Sequence, residues 1–238
     1  MVLEIFGGVG SGKSMVLNYL REKRGAEIIG MDETAHELYR PGEKGHAAVL
    51  ELLGDDVLAP DGSLDRKAMA DILYREPALL ERLNAVIHPL VYRETEDRAR
   101  AFLEKAAARG LPEPLVVIET ALPKKEKSDI FTEIWYVYTP AEIRTRRLMR
   151  DRGYSAERVK EIMDLQMSDA EYGALADWVL VNDGSLETLY RKVDERLAGL
   201  ASGIRNRMIP DYTGKRTACK GNARPEATEE KLFTRFVV

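Results

Sequence analysis

Gly7-Gly8-Val9-Gly10-Ser11-Gly12-Lys13-Ser14 constrains this chain more than any other stretch. Four glycines among six consecutive residues, 7–12, cannot sustain a helix or a strand, so this segment is a turn. The apolar run Val2 to Phe6 before it is too short for a helix and reads as a strand. After it, Val16, Leu17 and Leu20 fall on one face of a predicted helix, Lys13 to Arg24, that Gly25 stops. A second short strand follows at 26–29. The order strand, loop, helix, strand predicts an α/β fold built on a parallel sheet.

The loop fits the pattern G-x-x-x-x-G-K-[ST], and physics asks for each part. Glycines let backbone N–H groups curl around phosphate oxygens without Cβ clashes. A helix opening at Lys13 points the positive end of its dipole at the anion. Lys13 is placed to reach the β- and γ-phosphates, and the Ser14 hydroxyl to bind Mg²⁺. Ordinary residue usage gives this pattern in roughly one chain in a hundred of this length. The flanking strand and amphipathic helix favour nucleotide binding over a chance turn. The motif does not specify the phosphoryl acceptor.

Residues 33–109 read as a largely helical insertion. Pro60-Asp61-Gly62-Ser63 is a turn, Asp65 can cap a helix running to Arg75, and Pro77 suits the first turn of the next. A break is expected at His88-Pro89, with a long charged helix after it ending at Gly110. The sheet resumes at 115–119, an apolar run suited to a central strand covered on both faces. Further strands are expected at 134–138 and 179–181, with a helix opening at Pro140 and another capped by Ser185 and ending near Leu200. Residues 203–238 show no sustained period and read as a flexible tail.

The chain has 238 residues, 45% hydrophobic and 32% charged, enough to bury a sizeable core. A formal net charge of −4 argues against a general nucleic-acid or membrane binder. Cys219 is the single cysteine, so no internal disulfide supports the fold. The start has no signal-peptide pattern and no run of about 18 apolar residues occurs, so a soluble cytoplasmic protein is expected.

Several side chains have two readings. Asp32 follows the second strand, where ligands of open α/β sheets gather, and can act as a general base. It can equally be the N-cap of a helix starting at Glu33. Arg144, Arg146, Arg147, Arg150 and Arg152 crowd into nine residues with Arg158 nearby. They form either a mobile lid clamping phosphates, at about 144–160, or a solvated helix face. Glu119 ends an apolar strand and either holds Mg²⁺ through water or faces solvent. His36, His46 and His88 lack metal-ligand spacing, and His88 sits at the expected break.

Over residues 2–200 the chain resembles the dephospho-coenzyme A kinase family. The resemblance rests on the loop, Asp32 with Ala35, Arg40-Pro41-Gly42, and Asp61-Gly62-Ser63-Leu64-Asp65-Arg66. It continues with His88-Pro89-Leu90, Arg147-Leu148-Met149, Gln166, Ala176-Asp177 and Asn182-Asp183-Gly184-Ser185. The turn Asp61 to Arg66 followed by His88-Pro89-Leu90 is far more specific than the loop. The resemblance implies a P-loop core, about 1–32 and 111–202, a helical acceptor-binding region at 33–110 and a lid. It implies transfer of the ATP γ-phosphoryl group to the ribose 3′-hydroxyl of dephospho-coenzyme A. Gly8, Gly10, Ser11, Gly12, Lys13, Ser14 and Met15, with Arg147 and Asn182, would serve ATP. Asp32 would be the base and His88 would join it in the acceptor site, with Lys13 also catalytic and Ser14 on Mg²⁺. Met15, Gly30, His36, the stretch 120–124 and the order Asp151-Arg152 depart from the family's usual residues. The alternatives are another P-loop kinase, a nucleotide-driven switch, or an inactive coenzyme A sensor. The switch lacks an N-K-x-D element, and the sensor would have lost Lys13 or Asp32.

Overall fold

The computed structural model describes residues 1–121, 123 and 128–203. The expected tail at 203–238 therefore lies almost entirely outside the described residues, as do Leu122 and Lys124 of the stretch 120–124. The chain divides into two compact units. Among the described residues, one holds 1–28 and those from Gly110 to Gly203; the other holds Ile29–Arg109.

The first unit is built around a five-stranded parallel sheet flanked by helices. Its strands are β1 (Val2–Phe6), β2 (Glu27–Gly30), β3 (Val116–Glu119), β4 (Glu133–Tyr138) and β5 (Trp178–Val181), in the order β2-β3-β1-β4-β5. β1 is central, with Glu4 opposite Ile118 on one side and Ile134 on the other. The helices of this unit are α1 (Lys13–Arg24), α6 (Ala141–Arg152), α7 (Ala156–Asp164), α8 (Asp169–Leu175) and α9 (Leu186–Ala201). Leu3, Ile5, Val117, Trp135, Val137 and Leu180 point to one face of the sheet. There they pack on Val16 and Leu20 of α1 and Leu189 and Val193 of α9. Phe6 and Tyr136 point to the other face and stack with Tyr172 of α8, ring centres 5.2–5.8 Å apart. Burial on both faces explains the continuous apolar strands.

The buried Glu133 of β4 would be costly alone. Arg196 of α9 meets it through both forks, Nε at 2.8 Å, and Trp135 Nε1 donates to it at 2.7 Å. Their side chains are 10% and 5% exposed. Arg196→Met strands a buried carboxylate and is expected to cost about 3–5 kcal/mol, read by denaturant unfolding. A loss below about 1 kcal/mol contradicts that.

The second unit is helical: α2 (Met31–Leu38), α3 (Lys44–Leu53), α4 (Arg66–Arg75) and α5 (Pro77–Ala108). Asp65 caps α4 by accepting from the N–H groups of Lys67 and Ala68, and Pro77 opens α5. The expected break at His88-Pro89 is absent, because α5 runs straight through Pro89. An interior proline costs about 3 kcal/mol in an isolated helix. Here Ala85, whose carbonyl loses its partner, lies on the exposed face. Leu83, Ile87, Val91, Thr95 and Ala99 form a buried stripe on the other. Packing of that stripe on α2, α3 and α4 outweighs the proline. Arg98 of α5 bridges Glu37 of α2 at 2.6 Å and Glu94 of its own helix at 2.9 Å. Burial pushes the Tyr39 phenol up to about 12, so it stays protonated. No described helix is long and apolar enough to cross a membrane.

Candidate active site

The glycine loop joins β1 to α1, and its shape depends on missing Cβ atoms. Gly10 and Gly12 hold φ of 75° and 85°, the left-handed region that favours glycine. A Cβ on Gly12 would strike the Asn182 amide, and one on Gly10 would come within 3.1 Å of Leu148. Gly12 also caps α1 without a side-chain hydrogen bond, and the first turn of α1 carries no acid. Its leading N–H groups are thus offered to an anion. Gly12→Ala combines αL strain with that collision. It is expected to raise the ATP KM by about tenfold or more, since a left-handed alanine alone costs about 1–2 kcal/mol. Unchanged ATP saturation would contradict this.

The rest of the unit holds the loop in place. Asn182, just beyond β5, donates from Nδ2 to Ser11 O at 2.8 Å. Thr139 Oγ1 lies 2.9 Å from Ser11 O and 2.8 Å from Asn182 O. Gln166 Oε1 accepts from Val9 N at 2.9 Å. Ser11 Oγ is buried with no partner among the described residues. Lys13 forms an ion pair with Glu119 at the end of β3, and its Nζ stands 3.5 Å from Thr120 O. Glu119 is therefore not the solvent-facing strand end that was one of its readings. Ser14 is exposed, as is Met15 at 38%.

All five clustered arginines lie on α6, and they differ. Arg146, Arg150 and Arg152 are exposed, and Arg150 is bound to the neighbouring Asp151 at 2.6 Å. Arg147 is half-buried, with NH2 3.4 Å from Asn182 O and NH1 3.5 Å from a Cβ built on Gly12. Arg144 is buried and reaches Gly8. Burial, and then the nearby Asp169 charge, hold the Tyr138 phenol above its ordinary value. The parts played by Thr139 and Arg144 were not separately legible. Thr139 gives only a Thr-Pro pair in the sequence, and Arg144 is one arginine among five.

Mg²⁺ needs few protein oxygens, because phosphates and water fill most of its shell. Ser14, next to Lys13 in the chain, and Glu119, paired with Lys13, carry oxygens of the kind it takes. No group of three or more His, Cys, Asp or Glu side chains gathers as a metal cage among the described residues.

Asp32 and His88 belong to the second unit. Gly30, with extended backbone, is the N-cap of α2, and Asp32 sits half-buried inside the first turn. The N-cap reading of Asp32 is thereby corrected. Met31 is buried, which starts the helix two residues early, and Thr34 Oγ1 donates back to Gly30 O at 2.9 Å. His88 is half-buried on the inner side of α5, within a continuous helix rather than at a break. His46 is a structural histidine, with Nε2 2.9 Å from Gly62 O.

The dephospho-CoA kinase family model matches residues 1–188 of this chain. The chain belongs to the dephospho-CoA kinase family. The Leifsonia xyli dephospho-CoA kinase is 36% identical over 200 residues, covering 84% of this chain and 98% of that protein. The Geobacter sulfurreducens dephospho-CoA kinase is 32% identical over 194 residues, covering 82% and 95%. Among solved structures, a Thermus thermophilus protein superposes with a TM-score of 0.62 at 33% identity, covering 84% of this chain and 97% of that one. A dephospho-CoA kinase from Campylobacter jejuni gives 0.60 at 18% identity, covering 85% and 98%, which shows the shared fold. Family membership makes the chain an ATP-dependent kinase, and the family's reaction is the final step of coenzyme A formation.

Proposed function

We propose that this chain transfers the γ-phosphoryl group of ATP to the ribose 3′-hydroxyl of dephospho-coenzyme A. The observation that carries it is the braced glycine loop at the start of α1, with Lys13 beside it, in a chain of this family. ATP binds along Gly8, Gly10, Ser11, Gly12, Lys13, Ser14 and Met15, with Arg147 and Asn182 at its edge. Ser14, and Glu119 through water, would hold Mg²⁺, which neutralises charge on the β- and γ-phosphates when bound.

Asp32 is the general base, and His88 helps hold the acceptor. The 3′-oxygen attacks the γ-phosphorus while its proton passes to the Asp32 carboxylate. The bond from the γ-phosphorus to the β–γ bridging oxygen breaks, and ADP leaves with that electron pair. Lys13 and Arg147 offset the charge that builds on the moving group. Asp32's place in the first turn of α2, two residues beyond the end of β2, supports its part. A cytoplasmic location goes with this reading, supported by the single cysteine.

An acceptor panel tests the proposal. Dephospho-coenzyme A, adenosine and AMP are offered at equal concentration with ATP and Mg²⁺. Turnover is expected with dephospho-coenzyme A and to be slight with the others. Faster turnover of adenosine or AMP would point to another small-molecule kinase, and acceptor-independent ADP release to a switch.

A further inference from the structure

Arg144 is the one arginine of the α6 cluster that the fold buries, at 7% exposed. A Cβ on Gly8 would collide with its NH1 and come within 3.3 Å of its Cζ. Its NH2 stands 3.9 Å from Asp169 Oδ1, at the first residue of α8. That same oxygen accepts from Tyr136 OH at 2.6 Å. Tyr136 lies on β4 opposite Phe6, the last residue of β1 before the loop. Arg144 Nε is buried without a partner among the described residues. The side chain thus links β4 and α8 to the glycine loop. Gln166 works beside it, its Oε1 accepting from Val9 N and lying 3.1 Å from the Gly8 Cβ position.

A buried guanidinium with an open Nε and its nearest carboxylate at the long limit of pairing is expensive to keep. An apolar side chain would fill the same space at lower cost. Keeping the charge makes sense where the neighbouring loop receives polyphosphate.

We propose that Arg144, oriented by Asp169, is a positioning residue for phosphoryl transfer. It fixes the Gly8-Val9 curve and raises the positive potential at the loop's phosphate site. As a buried side chain packed against Gly8, it differs from the exposed members of the cluster, Arg146, Arg150 and Arg152. The proposal rests on the kinase reading of the loop.

The test compares Arg144→Met, Arg144→Lys and Asp169→Asn with the parent protein. ADP affinity by calorimetry, KM for each substrate, kcat and melting temperature are measured. Arg144→Met is expected to weaken ADP binding and raise the ATP KM by about tenfold, the effect of one lost charged contact. The KM for dephospho-coenzyme A should stay put, and the melting temperature should not fall. Arg144→Lys should recover part of the loss, because it restores charge but not the planar fork. Asp169→Asn should weaken ADP binding in the parent and add little in Arg144→Met, the non-additivity of a shared network.

Unchanged ADP affinity in Arg144→Met overturns the proposal. So does a fall in melting temperature with both KM values rising together, which marks a purely structural residue. A parent protein that binds ADP but leaves dephospho-coenzyme A untouched would remove the acceptor assignment, while the ADP series still decides the role of Arg144. A parent that binds no ADP overturns both.

Discussion

Asp32→Asn is expected to lower kcat by about 10²-fold or more while leaving the ATP KM close to its parent value. The exchange is nearly isosteric and removes the carboxylate proposed to take the proton of the reacting hydroxyl. Gly30, not Asp32, caps α2, so the variant keeps the N-cap. What the helix loses is a negative charge in its first turn, worth about 0.3–1 kcal/mol. A folded variant with crippled turnover therefore separates chemistry from stability. If it turns over at near-parent rates, Asp32 is not the base. If it melts far below the parent, Asp32 is holding up the second unit instead.

Lys13→Ala should reduce kcat by about 10²–10³-fold, the usual range for removing one preorganised group that meets developing charge. It also leaves Glu119, 20% exposed, without its cation. An electrostatic effect through Glu119 can be told apart with the pair Lys13→Ala and Glu119→Gln. The double variant should regain any stability lost in Lys13→Ala and regain none of the turnover. Recovery of activity in the double variant would mean that Lys13 serves mainly to neutralise Glu119. The glycine-loop reading would then fail at its main cation.

Local chemistry made much of the fold legible. Gly12 and Gly25 punctuate α1 so sharply that its ends follow from the sequence. Asp65 and Ser185 cap the helices expected of them. The strands are apolar because both faces of the sheet are covered, and each appears within about one residue of its expected place.

The failures share one cause. The residue rules for Pro89 and Asp32 are local, whereas tertiary packing decides both. The buried stripe of α5 carries that helix through Pro89, and buried Met31 draws the start of α2 ahead of Asp32. The site was legible in its loop and less so in its supports. Thr139 reaches Ser11 across 128 residues and Gln166 reaches Val9 across 157, separations that no local pattern encodes. The arginine cluster was visible as a group. Which members face the loop depends on the rotation of α6, with Arg144 and Leu148 one turn apart on its buried side.

Whether this chain makes coenzyme A from dephospho-coenzyme A is decided by coupled detection of ADP from purified protein with ATP, Mg²⁺ and dephospho-coenzyme A, followed by mass analysis of the product. ADP release is expected to require the acceptor, in step with a product heavier by one phosphoryl group and identical to coenzyme A. No acceptor-dependent ADP, or a phosphorylated product distinct from coenzyme A, would contradict it.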